Sequence, residues 1–325
     1  MSIPIPDDPA PNGYMSFPFQ SELDEAVAYF RTESVSEDGW ETIVQKSGVL
    51  AEKKYIPGDT SALPLVRGRG VFENVTPAEL SSVFTLAGVR LVFDDYTRDV
   101  NLLAKYSQRV QKFYSVQKCG RLASFLRMGA FLVQDRDVVG VQATYWNEDG
   151  SIEVVQTGVP DDGSTPPISG KTRATLTVGG WALRPRGNDT EVTYLLKTNP
   201  NGSIPAWLIR TIIVDYPLLV AEASDFYTKF GRPPAFYKLV GSVVKSEQYH
   251  HDKREWVARL IGRGGDAFEI SVDDKRMYSQ GYDVKLDGEG KDAVEVGTEG
   301  GTIRVRVGDA ADGKSFSITV SAKAG

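Results

Sequence analysis

The chain has 325 residues, 41% hydrophobic and 25% charged, a composition suited to one large globular unit and a smaller one. Its 43 acidic side chains against 37 basic ones give a net charge of −6, which argues against a nucleic-acid partner, since phosphate contacts call for a Lys/Arg surplus. Cys119 is the only cysteine; this excludes an intrachain disulfide and a thiolate metal cage and points to a reducing, cytoplasmic setting.

Residues 1–19 carry five prolines and lack both a basic n-region and an apolar h-region. They read as a loose extended arm, not as a signal peptide or an anchor. In "SELDEAVAYFRTESV" (21–35), Leu23, Val27 and Phe30 recur at helical spacing, with Ser21 and Asp24 placed as a capping box. Residues 39–56 and 63–73 turn to β-branched alternation broken by Gly and Pro, and predict two strands. Thr76 as N-cap, Pro77 at the first helical position and Glu79 three residues after the cap predict a short helix closing near Gly88. Three hairpins follow, at 100–117 turning at Ser107-Gln108, at 137–159 turning at Asn147 to Gly150, and at 173–199 turning at Gly187-Asn188-Asp189.

A long helix over about 204–230 lies between Pro205 and "GRPP" (231–234). It is too apolar for an ordinary surface helix. Arg210, Asp215, Pro217 and Glu222 keep it out of a bilayer, where a central charge alone costs about 2.5–3.5 kcal/mol. Ala206, Ile209, Ile213, Tyr216 and Val220 share one face; Trp207, Leu208, Ile212, Leu218 and Leu219 widen the stripe, so the helix needs apolar contact on two sides. Beyond about residue 245, short alternating segments between Gly-Asp-rich turns predict a small all-β unit, read as a sandwich. The expected organisation is an arm (1–19), an α+β domain (20–245) and the β unit (246–325).

Five stretches now fall in a recognisable order: "GW" (39–40), "RLVFDD" (90–95), "DRDVVGV" (135–141), "KTRA" (171–174) and "NPNGSIPAWLIRTII" (199–213). Over about residues 20–235 the chain resembles the steroidogenic-acute-regulatory-related lipid transfer (START) family. The resemblance implies a helix-grip fold, in which a curved antiparallel sheet wraps around a long C-terminal helix and encloses a hydrophobic tunnel for one lipid. It also implies that Leu176 and Gly180 line that tunnel, and that Gln142 stands where sterol binders of the family place a buried Arg. The acidic partner of that Arg falls at Ala123, so the ion pair is absent. A neutral Gln142 still suits a hydroxyl or ester, or bonds its neighbours instead.

Strand alternation puts Leu176, Val178, Gly180 and Ala182 on one face with Trp181 opposite, and Val138, Gly140, Gln142 and Thr144 together on another strand. Leu176, Val178, Gly180, Val138, Gly140, Gln142 and Thr144, with Ala123 and the helix positions Ile209, Ile213, Tyr216 and Val220, are the expected ligand contacts. Arg210 and Pro217 are the expected gate, with a kink at the proline. Six cations without a carboxylate between residues 100 and 134, namely Lys105, Arg109, Lys112, Lys118, Arg121 and Arg127, suit either an anionic membrane surface or plain solvation.

No nucleophile, Walker or dinucleotide motif occurs in the sequence, and the "HHDKRE" stretch (250–255) reads as a solvated linker in preference to a metal site. The expectation is a non-enzymatic, soluble lipid-binding or lipid-transfer protein without a cofactor or metal. Its partners would be a lipid ligand and, transiently, a membrane surface that the loop 158–170 opens against. A lipid sensor with a protein partner at the β unit, and an enzyme on the same fold, stay open as alternatives.

Overall fold

The computed structural model describes residues 14–59, 63–118, 134–161, 163, 165–237 and 239–323, without the side chains at 206 and 207. Cys119, Ala123, Arg121 and Arg127 lie outside the described residues. Of the arm, residues 14–19 are described. Tyr14 Oη accepts from the Val244 amide and donates to its carbonyl (3.0 and 3.3 Å), and Phe17 and Phe19 pack edge-on to Tyr106.

Helix α1 (Gln20–Val35) buries Leu23, Ala26, Val27 and Phe30. The predicted capping box does not form. The helix starts one residue early, so Ser21 lies inside its first turn and Asp24 accepts from the Gln20 side chain at 2.8 Å. The first predicted strand is a hairpin, β1 (Glu41–Lys46) and β2 (Val49–Lys54), because Ser47 and Gly48 both adopt positive φ in a two-residue turn. Strand β3 (Leu65–Phe72) follows.

Helix α2 (Pro77–Thr85) carries both halves of the Thr76/Glu79 capping box. It does not close at Gly88: a second helix, α3 (Ala87–Phe93), contains that residue. A Cβ on Gly88 would lie 2.0 Å from the Tyr249 carbonyl oxygen, so this glycine permits a close approach of the chain 160 residues on and does not stop a helix.

The hairpins form as predicted: β4 (Thr97–Lys105) with β5 (Val110–Gln117), β6 (Asp135–Trp146) with β7 (Ile152–Gly158), and β9 (Thr175–Arg186) with β10 (Asp189–Asn199). A short β8 (Lys171–Arg173) runs parallel to β6. These strands build one antiparallel sheet in the order β1-β2-β3-β10-β9-β7-β6-β5-β4.

The sheet is covered on both faces. On one, α1 packs Leu23 and Phe30 against Val141, Ala143, Val155, Val178, Ala182 and Leu195. On the other lies α4 (Ala206–Phe230), a single helix that continues through Pro217. Strands β4 to β7, β9 and β10 line the same cavity as α4, so the sheet wraps around the helix, an α+β helix-grip architecture.

Two four-stranded antiparallel sheets follow. One is β11 (Ala235–Tyr237), β14 (Ala267–Ser271), β17 (Thr302–Val307) and β16 (Val294–Glu299); the other is β12 (Val243–His250), β13 (Glu255–Ile261), β18 (Ser315–Ala322) and β15 (Tyr282–Asp287). Alternate residues of each, among them Trp256, Phe268, Ile270, Val305 and Ile318, meet between them as a sandwich core. That core is continuous with Phe72, Trp181, Leu219 and Phe226 around α4.

His251 sits where α4 meets the sandwich, its ring 4.5 Å from Phe230 and 5.7 Å from Phe226, with Tyr249 Oη 3.4 Å from Nδ1. It opens a 3-10 turn ahead of β13, so His251 and Glu255 do not share a helix face. Burial lowers its pKa; Asp252 pulls upward, while Arg254 and Lys229 add to the lowering. The unfolded chain therefore takes up this proton first as pH falls. The stability is complete above the unfolded pKa of about 6.5 and declines below it, towards the lower folded value. Thermal melts should show a steeper loss of Tm on acidification in the wild type than in His251→Phe, and equal slopes would remove His251 from the transition.

Candidate functional site

The concave side of the sheet and α4 enclose a cavity of about 120 Å³. Leu208, Ile212 and Tyr216, spaced by four, line it from the helix, with Ile204 and Leu63 beside them. The sheet contributes Phe113, Val138, Leu176 and Leu196. A second chamber of about 120 Å³ adjoins it, sharing Thr85, Leu86, Ala87, Val100, Gln111, Phe113 and Gln142.

A row of amides lines the first chamber, and two of its members, Gln111 and Gln142, also line the second. Gln111 on β5 pairs with Gln142 on β6, and Gln142 with Gln156 on β7. The Gln156 amide donates to Gln142 Oε1 at 2.7 Å, and neither takes a further protein partner among the described residues. Each side chain keeps donor or acceptor capacity towards the cavity. Gly179 on β9 continues the row, opposite Gln156 on one side and Leu196 on the other.

Beside α4, Arg90 brings a charge to the first chamber. Arg90 Nε bonds Asp94 at 2.9 Å and Nη2 lies 3.5 Å from Tyr194 Oη. Burial works against its charge, but Tyr194 and Asp94 outweigh it and hold Arg90 well above the ordinary range. Burial likewise pushes the Tyr194 hydroxyl up, opposed by Arg90. Asp94 also accepts from the Tyr96 and Thr97 amides, and Tyr96 Oη donates to Asp215 while its ring lies 5.3 Å from that of Tyr216. This clasp ties the α3–β4 junction to α4.

The family-like motifs do structural work here. Arg136 donates to the Pro200, Asn201 and Gln134 carbonyls (3.0, 2.9 and 2.5 Å), fastening the turn before α4 to β6. Arg173 pairs with Asp137 at 3.1 Å.

Of the expected ligand contacts, Val138, Gln142, Leu176 and Tyr216 line the first chamber and Thr144 the second. Gly140 lies beneath Phe113, whose ring edge stands 2.8 Å from where a Cβ would be. Val178 and Gly180 face the other way, against α1. The reason is a bulge: Lys197 pairs with Val178 and Thr198 with Leu176, leaving Thr177 out of the count and reversing the alternation. Trp181 is consequently on the α4 side, its ring 4.3 Å from Tyr194.

Ile209 and Ile213 flank Leu208 and Ile212, and Val220 packs at Gly70. Arg210 is exposed. Pro217 is buried, its carbonyl oxygen 2.0 Å from where a Cβ on Gly68 would stand. Alternation along single strands missed Gln111, Gln156 and Gly179, whose shared row appears only once the strands are paired.

The four described members of the cation run have separate settings. Lys105 pairs with Glu247 at 3.5 Å, Arg109 lies over Trp146, Lys112 is buried beside Phe19, and Lys118 borders the first chamber. Among the described residues no helix is long and apolar enough to cross a membrane, and no three His, Cys, Asp or Glu side chains group as metal ligands.

The START domain family model matches residues 35–221. In structure the chain is similar to human STARD10 (18% identity, TM-score 0.51, covering 67% of this chain and 84% of that one). It is likewise similar to human StAR-related lipid transfer protein 5 (17%, 0.52, covering 62% and 94%). At these identities the likeness speaks for the fold. A curated but uncharacterised protein of Pseudomonas aeruginosa is 41% identical over 87 residues, which is 26% of this chain; the match spans 42% of that relative's length. With the family match extending over more than half of its length and a helix-grip fold in place, the chain belongs to the START domain family.

Proposed function

We propose that this protein binds a lipid and passes it between membranes without chemically altering it. The observation that carries the reading is the apolar chamber between α4 and the sheet, lined on the sheet by the Gln111–Gln142–Gln156 row. An acyl chain or ring system packed on Leu208, Ile212, Leu176 and Val138 gains roughly 25 cal/mol per Å² of apolar area removed from water. A hydroxyl or ester of the same molecule bonds the amides, which are costly to leave dry and unpaired. The sites named for this role are Gln142, Val138, Leu176, Tyr216 and Thr144 from the sequence, joined by Gln111, Gln156, Leu208 and Ile212.

A chamber of about 120 Å³ is smaller than the ~150 Å³ cavity that holds one benzene. A whole sterol or acyl chain therefore enters only if α4 moves. Pro217 divides that helix: it has no N–H, so the Ile213 carbonyl lacks its helical partner. Beyond it Leu219, Val220, Ala223 and Phe226 are buried; before it lie the chamber-facing residues and the exposed Arg210. Residues 204–216 are the moving half in this reading, with Arg210 placed to meet an anionic membrane surface. In this reading the division between the units falls before Ala235 in place of 245/246, because β11 pairs with β14 of the sandwich.

Native mass spectrometry of the isolated protein should find one lipid per chain, and the protein should extract labelled lipid from liposomes. Empty protein that extracts nothing would end the proposal. Pro217→Ala restores a helical hydrogen bond and should slow vesicle-to-vesicle exchange about threefold or more, of the order of a single hydrogen bond. Exchange at the wild-type rate would take the gate away from Pro217.

A further inference from the structure

We infer that the second chamber is a head-group site for a monoanionic amphiphile, and that the C-terminal sandwich supplies one of its walls. This rests on the lipid-binding reading and adds to it the charge of the cargo.

The chamber lies between two units. From the START sheet come Lys105, Arg109, Gln111, Gln142, Thr144 and Trp146; from the sandwich side come Pro234, Ala235, Phe236 and Glu247. The sandwich is held firmly there. Its Tyr249 carbonyl rests on Gly88 of α3, and Tyr14 bridges both main-chain groups of Val244.

Two cations, Lys105 and Arg109, face one carboxylate, Glu247, so the chamber carries an excess of one positive charge. Lys105 Nζ reaches Glu247 at 3.5 Å, with the side chains only 6% and 19% exposed. Arg109 makes no ion pair among the described residues; its guanidinium stands 5.8 Å from the centre of the Trp146 ring. On the first chamber Arg90 and Arg136 are committed to Asp94 and to main-chain carbonyls, and Lys118 stands at the border. A single negative charge would balance the second chamber, and Coulomb attraction there is several times stronger than in water. Gln111 and Gln142 line both the apolar chamber and the cationic one, so an amphiphile spanning both places its tail at α4 and its anion beside Arg109. Trp146, 38% exposed, marks the outer edge.

Binding of oleate and of methyl oleate to the full chain, measured at about pH 8 where the carboxylate is ionised, tests this. The wild type should prefer oleate about tenfold or more, equal to about 1.4 kcal/mol. Arg109→Gln should cut that preference about threefold or more, weakening oleate more than methyl oleate. Glu247→Gln releases Lys105 and should tighten oleate binding only, so either variant suffices if the other fails to fold. Equal affinity for oleate and its ester in the wild type would overturn the head-group site and leave the lipid reading standing. Binding of neither would overturn both. Displacement of oleate by acetate at comparable concentration would reassign the site to a free anion and overturn the amphiphile.

Discussion

Gly179→Leu is expected to lower lipid binding about tenfold or more, roughly 1.4 kcal/mol, with the fold intact, whereas Gly180→Ala should damage the fold. The two glycines are neighbours on β9 but face opposite sides of the sheet. A Cβ at Gly179 would meet Leu176 and Leu196 at 3.5 Å and the Gln156 amide at 3.8 Å, all ordinary contacts on the chamber side. A leucine there grows into the cavity, occupies the space the cargo needs and crowds the amide row. It also removes a glycine from a strand interior, where glycine weakens pairing. A Cβ at Gly180 would stand 2.3 Å from the Val154 carbonyl oxygen and 2.9 Å from the Phe30 ring of α1. Overpacking of this kind costs about 1–3 kcal/mol or more. Liposome extraction and urea unfolding measured on both variants separate the two effects. Undiminished binding by folded Gly179→Leu would show that the cargo does not lie against β9.

Gly68→Ala should be the most destabilising single-methyl change along α4. Here the obstacle is main chain: a Cβ on Gly68 would lie 2.0 Å from the Pro217 carbonyl oxygen and 2.8 Å from its carbon. Neither β3 nor α4 gives way easily. Gly68 pairs with Ala51 and Tyr194 on its two neighbouring strands, and the helix is held by buried Leu219 and Val220 just beyond the contact. A cost of about 3 kcal/mol or more is expected, at or above the upper end of ordinary overpacking. Gly297→Ala serves as control, because a Cβ there meets nothing within 4 Å; it should change stability by no more than about 0.5 kcal/mol. If Gly68→Ala unfolds at the wild-type urea concentration, β3 and α4 do not make this contact in solution. The same variant bears on gating. Should it fold and exchange lipid faster, the anchored half of α4 is what limits opening.

Much of the fold was legible in the chain. The Thr76-Pro77-Glu79 cap, the three hairpin turns and the long helix from Pro205 to Gly231 are written in local chemistry: side-chain oxygens that bond exposed amides, a proline that starts a helix, and turn residues that reverse a strand. The apolar excess of 204–230 likewise announced a helix in contact on two sides. So did the alternation of β6, which brought Val138, Gln142 and Thr144 to the concave face as expected.

What escaped the sequence depends on partners distant along the chain. Alternation along β9 assigned Gly180 to the cavity, and one bulged residue, Thr177, exchanged it for Gly179, since a strand's period of two survives only while every residue is paired. Gly88 resembled a helix stop until Tyr249 came to rest on it. Gln111 and Gln156 are ordinary polar residues until hydrogen-bond register sets them on either side of Gln142. Lys105, Arg109 and Glu247 become a chamber only when the sandwich docks against the sheet. The sequence by itself determined the main helices, the three hairpins and the family they compose, because those signals are local; the β1–β2 turn and the second helix around Gly88 were not among them. Which side chains share a cavity was decided only by the tertiary structure, because register, bulge and docking are agreed between strands that the sequence keeps far apart.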